Sequence, residues 1–133
     1  MASIEEIKKQ EDRIQQEIVM DYNNTYCRVD CIPRCLIFHI PNQNQYNLVS
    51  IGVLAGVSDL IIVHQQRPTR KGVHIYMEVK TPTGTQSPKQ IAFMQRIIAL
   101  GYEYYIVRSK EDARVIIQAV DAREAVSQDN LFL

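Results

Sequence analysis

The sequence predicts an α/β domain, with helices flanking a central mixed β-sheet and the element order α-β-β-β-α-β-α. Three observations carry this. Apolar residues recur at helical spacing near both ends of the chain, whereas short runs in the middle alternate or are continuously apolar, as strands are. A third strand also leads through a strong helix start into a fourth strand. Such a β-α-β unit sets its two strands parallel and lays the helix across the sheet.

The first helix runs from Ser3 to about Asn23. Ser3 can cap it, with Glu6 three residues on as in a capping box. Ile4, Ile7, Ile14, Ile18 and Tyr22 form its apolar stripe, and Glu11 falls on that stripe. The path onward to Pro33 carries no clear pattern. "CLIFHI", Cys35 to Ile40, reads as a strand stopped by Pro41, and a polar loop and a glycine-interrupted approach follow. "DLIIVH", Asp59 to His64, is apolar on both faces and therefore central. After the turn-rich "QQRPTRKG", Val73 to Lys80 form a third strand. Val73, Ile75, Met77 and Val79 share one face of it, and His74, Tyr76, Glu78 and Lys80 share the other. Ser87, Pro88 and Gln90 supply a cap, a first-turn proline and a capping-box partner for the second helix, which ends at Gly101. "YEYYIVR" is the fourth strand, and Ser109 caps a last helix carrying Ala113, Ile116, Ile117 and Val120. No repeat or linker divides residues 1–133, so a single domain is expected.

Fifteen basic and fifteen acidic residues cancel, which argues against a protein that coats DNA through many phosphate contacts. A local patch is still open: Arg67, Arg70 and Lys71 share one loop, and Arg96, Arg108, Lys110 and Arg114 fall near later helix ends. Taken singly, each is also an ordinary solvated charge. No apolar run approaches the ~20 residues of a membrane span, and the polar start is not a signal peptide. A soluble, intracellular, cytoplasmic protein without a membrane partner is the expectation. Cys27, Cys31 and Cys35 recur at intervals of four, with His39 continuing the series. Pro33 would break a helix that aligned them, and no zinc-type spacing is present, so free thiols are expected.

Glu78 and Lys80 raise the chemical question, because they sit two apart on one face of a strand. If His74 pairs with Val63 across a hairpin, Asp59 lies opposite Glu78. Cross-strand Cβ atoms are then ~4.5–5.5 Å apart. Carboxylates this close repel unless one is protonated or a cation lies between them. An oxygen site with open water positions suits Mg²⁺ or Mn²⁺. Lys80 could then position or deprotonate a nucleophile, or stabilise charge on a phosphate, and Gln90 could orient water or substrate at a helix start that favours anions. A plainer account also exists: a solvated Glu–Lys pair worth ~0–1 kcal/mol, a turn aspartate and a capping glutamine.

The segment "GVSDLIIV…IYMEVKTPTGTQSPKQIAFMQRIIALGYEYYIVRS" resembles the VRR-NUC branch of the PD-(D/E)xK nucleases. "FHIPN" and "EDRIQQEIV" resemble that family's His-x-Pro-Asn strand end and first-helix Glu-x-x-x-Gln signature. The resemblance implies a restriction-endonuclease-like core and a metal-dependent DNA endonuclease. It makes Asp59, Glu78 and the backbone carbonyl of Val79 ligands of Mg²⁺ or Mn²⁺, Lys80 the catalytic lysine and Gln90 an auxiliary glutamine. Glu11 is the implied first-helix acid and metal ligand, with Glu17 as fallback. His39 and Asn42 match family positions, with packing or a turn as their expected part. Ser58 replaces a usual proline and Thr85 a frequently basic residue. Small stand-alone relatives come from phages or bacteria and act as homodimers resembling Holliday junction resolvases. DNA, branched DNA included, is therefore the implied partner, in a bacterial or phage-infected cell. The "NLFL" end and Tyr102, Tyr104 and Tyr105 are candidates for dimer surface or, for the tyrosines, plain core. A non-catalytic nucleic-acid-binding or accessory module on the same fold is the alternative.

Overall fold

The computed structural model describes residues 2–27, 34–40 and 54–124. Cys31, Pro33, Pro41, Asn42 and the "NLFL" end lie outside the described residues. Among those described, no helix is long and apolar enough to cross a membrane.

Helix α1 spans Ile4–Tyr22, and the Ser3–Glu6 capping box forms in both directions. It continues into one π-helical turn, Asn23–Cys27, which the sequence does not announce. The strands are β1 Cys35–His39, β2 Leu60–Gln65, β3 Gly72–Val79 and β4 Glu103–Val107. Helix α2, Pro88–Ala99, starts at the expected Ser87 cap, and its chain end turns at Gly101 with φ 89°. Helix α3, Lys110–Asp121, starts at the Ser109 cap. The fold is α/β, with one four-stranded sheet in the order β1-β2-β3-β4. The first three strands pair antiparallel, and β3 and β4 pair parallel, as the β-α-β reading requires.

Strand alternation divides the apolar residues between two faces. On one face Leu60, Ile62, Ile75, Met77, Val79 and Val107 are buried beneath α1 and α3, which contribute Ile14, Ile18, Tyr22, Ala113, Ile117 and Val120. On the other, Phe93 and Ile97 of α2 pack with Tyr104. Helix α2 lies against β4, and Leu36 and Phe38 of β1 are exposed on the same face.

A second buried cluster ties the first face together at the hairpin end of β2. The Tyr22 hydroxyl and His64 Nδ1 are 2.7 Å apart, and His64 Nε2 lies 2.7 Å from Asp121 Oδ1. A neutral imidazole with its proton on Nε2 satisfies both partners. Arg34 donates to the same Asp121 oxygen at 2.9 Å, and the Tyr26 ring meets His64 edge-on. Burial pushes the His64 pKa down and the Tyr22 pKa up.

The free-thiol expectation fails for two of the cysteines. Cys27 and Cys35 are joined as a disulfide, their Cα atoms 6.0 Å apart. The π-helical turn carries Cys27 past the end of α1 and alongside the first residue of β1, a placement that spacing along the chain does not convey.

Candidate active site

The hairpin register decides whether the acids meet. Val63 pairs with His74 and Leu60 with Met77, so one step further Asp59 stands across from Glu78. Both carboxylates lie on the α2 face, at the end of the sheet remote from the β2–β3 turn. Asp59 Oδ2 accepts from the Val79 amide at 2.8 Å, which fixes the aspartate against the end of β3. His39 reaches the same corner: its Nδ1 lies 2.7 Å from the Asp59 carbonyl oxygen. Packing or a turn was the expected part for His39, but the side chain instead holds the backbone that presents Asp59. Ser58, in place of the usual proline, is fully buried, and its hydroxyl donates to the Leu60 carbonyl at 3.4 Å.

Glu78 is 1% exposed. Its Oε1 accepts from Gln90 Nε2 at 2.7 Å and lies 3.9 Å from Lys80 Nζ. Its Oε2 is buried with no hydrogen-bond partner. A buried acceptor without a donor costs about 1–3 kcal/mol, so this corner does not serve stability alone. Burial first, and the Asp59 charge second, push the Glu78 pKa up to about 8, against the pull of Lys80. Burial also raises the Asp59 pKa, opposed by its bond to the Val79 amide. The two acids therefore resist being ionised together.

Gln90 does two things at once. Its Oε1 accepts from the Ser87 amide at 2.8 Å and completes the capping box, while its Nε2 holds Glu78. The capping and active-site readings of this residue are thus compatible. Gly56 makes the placement possible. Its φ is 83°, and a Cβ there would run into the Lys89 carbonyl and the Gln90 amide. Only glycine lets the approach to β2 lie so close to the start of α2. On the far side, Arg108 donates to the carbonyls of Thr81 at 2.6 Å and Gly84 at 2.8 Å, and so braces the turn that follows Lys80.

Glu11 is half-buried on α1, and its pKa is raised by burial while the Lys80 and Asp59 charges act on it in opposite senses. Glu17 is exposed and lies 3.6 Å from Arg13, so of the two first-helix acids Glu11 is the one facing this corner. Among the described residues, no three His, Cys, Asp or Glu side chains group closely enough to hold a metal by themselves. What the corner offers a cation is two facing carboxylates, one with a bare oxygen. That all-oxygen donor set fits Mg²⁺ or Mn²⁺, which keep several waters as ligands. Tyr104, expected as core or dimer surface, is buried with its hydroxyl 3.2 Å from Gln86 Nε2. Burial and the Glu78 charge raise its pKa. Nothing in a Gly-Tyr strand entry signals that the third residue of the run reaches the acids. Tyr105 is half-buried and Tyr102 is 50% exposed.

Three comparisons bear on this arrangement. The VRR-NUC domain family model matches residues 3–111. A solved structure described as a VRR_NUC domain protein superposes with a TM-score of 0.65 at 23% identity, covering 89% of this chain and 95% of that one. Another, described as a VRR_NUC domain, gives 0.57 at 18% identity, covering 82% and 95%. No curated protein sequence matches.

Proposed function

Because the chain belongs to the VRR-NUC domain family, a family of nucleases, we propose that it is a Mg²⁺- or Mn²⁺-dependent endonuclease that hydrolyses phosphodiester bonds in DNA. The observation that carries the proposal is the unpartnered Glu78 Oε2 facing Asp59, with Lys80 and Gln90 beside the same carboxylate.

In this reading Asp59, Glu78 and the Val79 carbonyl would hold the cation, and Glu11 on α1 would add negative charge near it rather than a third carboxylate ligand. The cation, when bound, supplies Lewis-acid polarisation of the phosphate and lowers the pKa of water. The protein's own groups do the rest. The Val79 amide and His39 fix Asp59 in direction, and Gln90 fixes Glu78. Lys80 brings a positive charge within reach of the phosphate, where it can orient the attacking water and offset charge that builds in the transition state. The start of α2 adds amide dipoles that favour the anion. Binding a cation requires both acids ionised, so Glu78 must give up the proton that its burial favours.

A homodimer that places two such sites at a fixed separation is part of the proposal, with branched DNA as its candidate substrate. The test incubates the protein with labelled linear, nicked, flap and four-way DNAs plus Mg²⁺ or Mn²⁺, with Lys80→Ala as control. Cutting by the native chain and none by the variant is expected. A native chain that leaves every substrate intact in Mn²⁺ ends the enzymatic reading.

A further inference from the structure

The loop carrying Arg67, Arg70 and Lys71 lies at the opposite end of the hairpin from the acids. Gln65 lies six residue steps from Asp59 along β2, about 20 Å at ~3.3 Å per residue. The loop is held firmly. Gln66 and Lys71 close it through their backbones at 2.9 Å, and Thr69 bonds the Gln66 side chain and the Lys71 amide. The Arg67 amide and the Gln66 side chain donate to the Asp121 and Val120 carbonyls at the end of α3. Arg70 occupies the left-handed region with φ 57°, which glycine or asparagine would adopt more readily. The basic side chains therefore project from a preorganised frame.

Two depressions flank this loop. One of about 180 Å³ is lined by Arg34, Gln65, Gln66, Arg67 and Arg70; Asp121 lies beside it, 3.6 Å from the largely exposed Arg67. The other, about 380 Å³, opens between Lys71 and Tyr102. Its acid, Glu103, is already met by Arg123 at 2.8 Å. Among the described residues neither the Arg70 guanidinium nor the Lys71 ammonium has a hydrogen-bond or ion-pair partner. In the second depression Tyr102, 50% exposed, lies nearly parallel to His74 at 6.0 Å and 19°. Both rings are on the face of the sheet that carries Asp59 and Glu78.

We infer that this end of the molecule is a second nucleic-acid contact, in which Arg67, Arg70 and Lys71 hold backbone phosphates and the Tyr102–His74 pair stacks an unpaired base. The aromatic face selects a single strand, because a base inside a duplex has no free π-face to offer. The cations select a polyanion. The inference rests on the proposed nuclease activity only in naming DNA as the strand. His74 lies four strand residues from Glu78, so an unpaired strand that leaves the acids along this face of the sheet would meet the stacking pair about 13 Å from the cut.

The test is fluorescence anisotropy of the native chain with labelled oligothymidine in EDTA, where no cutting occurs. Tyr102→Ala should weaken binding about tenfold, and Tyr102→Phe should restore it. Arg67→Ala combined with Arg70→Gly should flatten the slope of log affinity against log salt by ~1.4. A duplex of equal length should be insensitive to Tyr102. Oligothymidine binding that is absent, or unchanged in Tyr102→Ala, overturns the inference, even if the chain cuts DNA. Ring-dependent binding by a chain that cuts nothing would leave this contact standing and the endonuclease reading defeated.

Discussion

The two buried polar clusters differ in whether their hydrogen bonds close. At His64, the Tyr22 hydroxyl and Asp121 each meet the imidazole at 2.7 Å, and Arg34 meets Asp121 at 2.9 Å. Around Glu78, one oxygen accepts from Gln90 and the other, facing Asp59, has no donor. Each is roofed by helices and sits at one end of the same β2–β3 pair. The closed cluster resembles a structural fastener, since it joins α1, β2 and α3. The open one stores an unmet demand for positive charge. A polar group that is buried and satisfied explains itself through stability, whereas one that is buried and unsatisfied needs an explanation from function.

The contrast breaks most visibly in catalysis. In the open cluster, Glu78→Ala or Lys80→Ala should cut the rate of DNA cleavage by ~100-fold or more, measured by gel assay, with the melting temperature of metal-free protein held or raised. In the closed cluster, Asp121→Ala should cost ~3 kcal/mol in urea denaturation, because it leaves the buried His64 Nε2–H without its acceptor and removes the carboxylate paired with Arg34. Its cleavage rate per folded molecule should be nearly native.

The clusters should also titrate in opposite senses. The folded-state pKa of Glu78 lies above its ordinary value, so the stability it contributes is fully present below pH 4.5 and is lost as pH rises toward about 8. The folded-state pKa of His64 lies below 6.5, so its contribution is present above that pH and is lost as pH falls through the folded value. Glu78→Gln should therefore stabilise metal-free protein by ~1–3 kcal/mol at pH 8 and little at pH 5, read from melting curves across that range. A smaller effect should follow from Gly56→Ala, which forces a side chain into the left-handed region and against the start of α2. It should cost about 2 kcal/mol. By shifting Gln90 it should also slow cleavage about tenfold.

The open cluster was the more legible of the two in the sequence. A strand of Val73, Ile75, Met77 and Val79 has only one way to face a core, so alternation put Asp59 and Glu78 on one face; a two-residue slip would have kept that face, and the direct pairing rested on His74 meeting Val63, as it does. The helix caps at Ser3, Ser87 and Ser109 were legible for a similar reason: capping is local chemistry. The closed cluster was not. Tyr22, His64 and Asp121 lie 42 and 57 residues apart along the chain, and only the packed fold brings them together. The same holds for Cys27 with Cys35, which needed the π-helical turn, and for His39 and Tyr104, whose approach to the acids depends on how neighbouring strands are placed.

Titrating Mn²⁺ into the metal-free chain at pH 7, by calorimetry in buffers of different ionisation enthalpy, tests the central claim most directly. A saturable uptake is predicted, with about one proton released per ion as Glu78 ionises, and with both signals lost in Asp59→Asn and Glu78→Gln. Uptake that is absent, or that persists unchanged in those two variants, would contradict the claim that the facing carboxylates form a cation site.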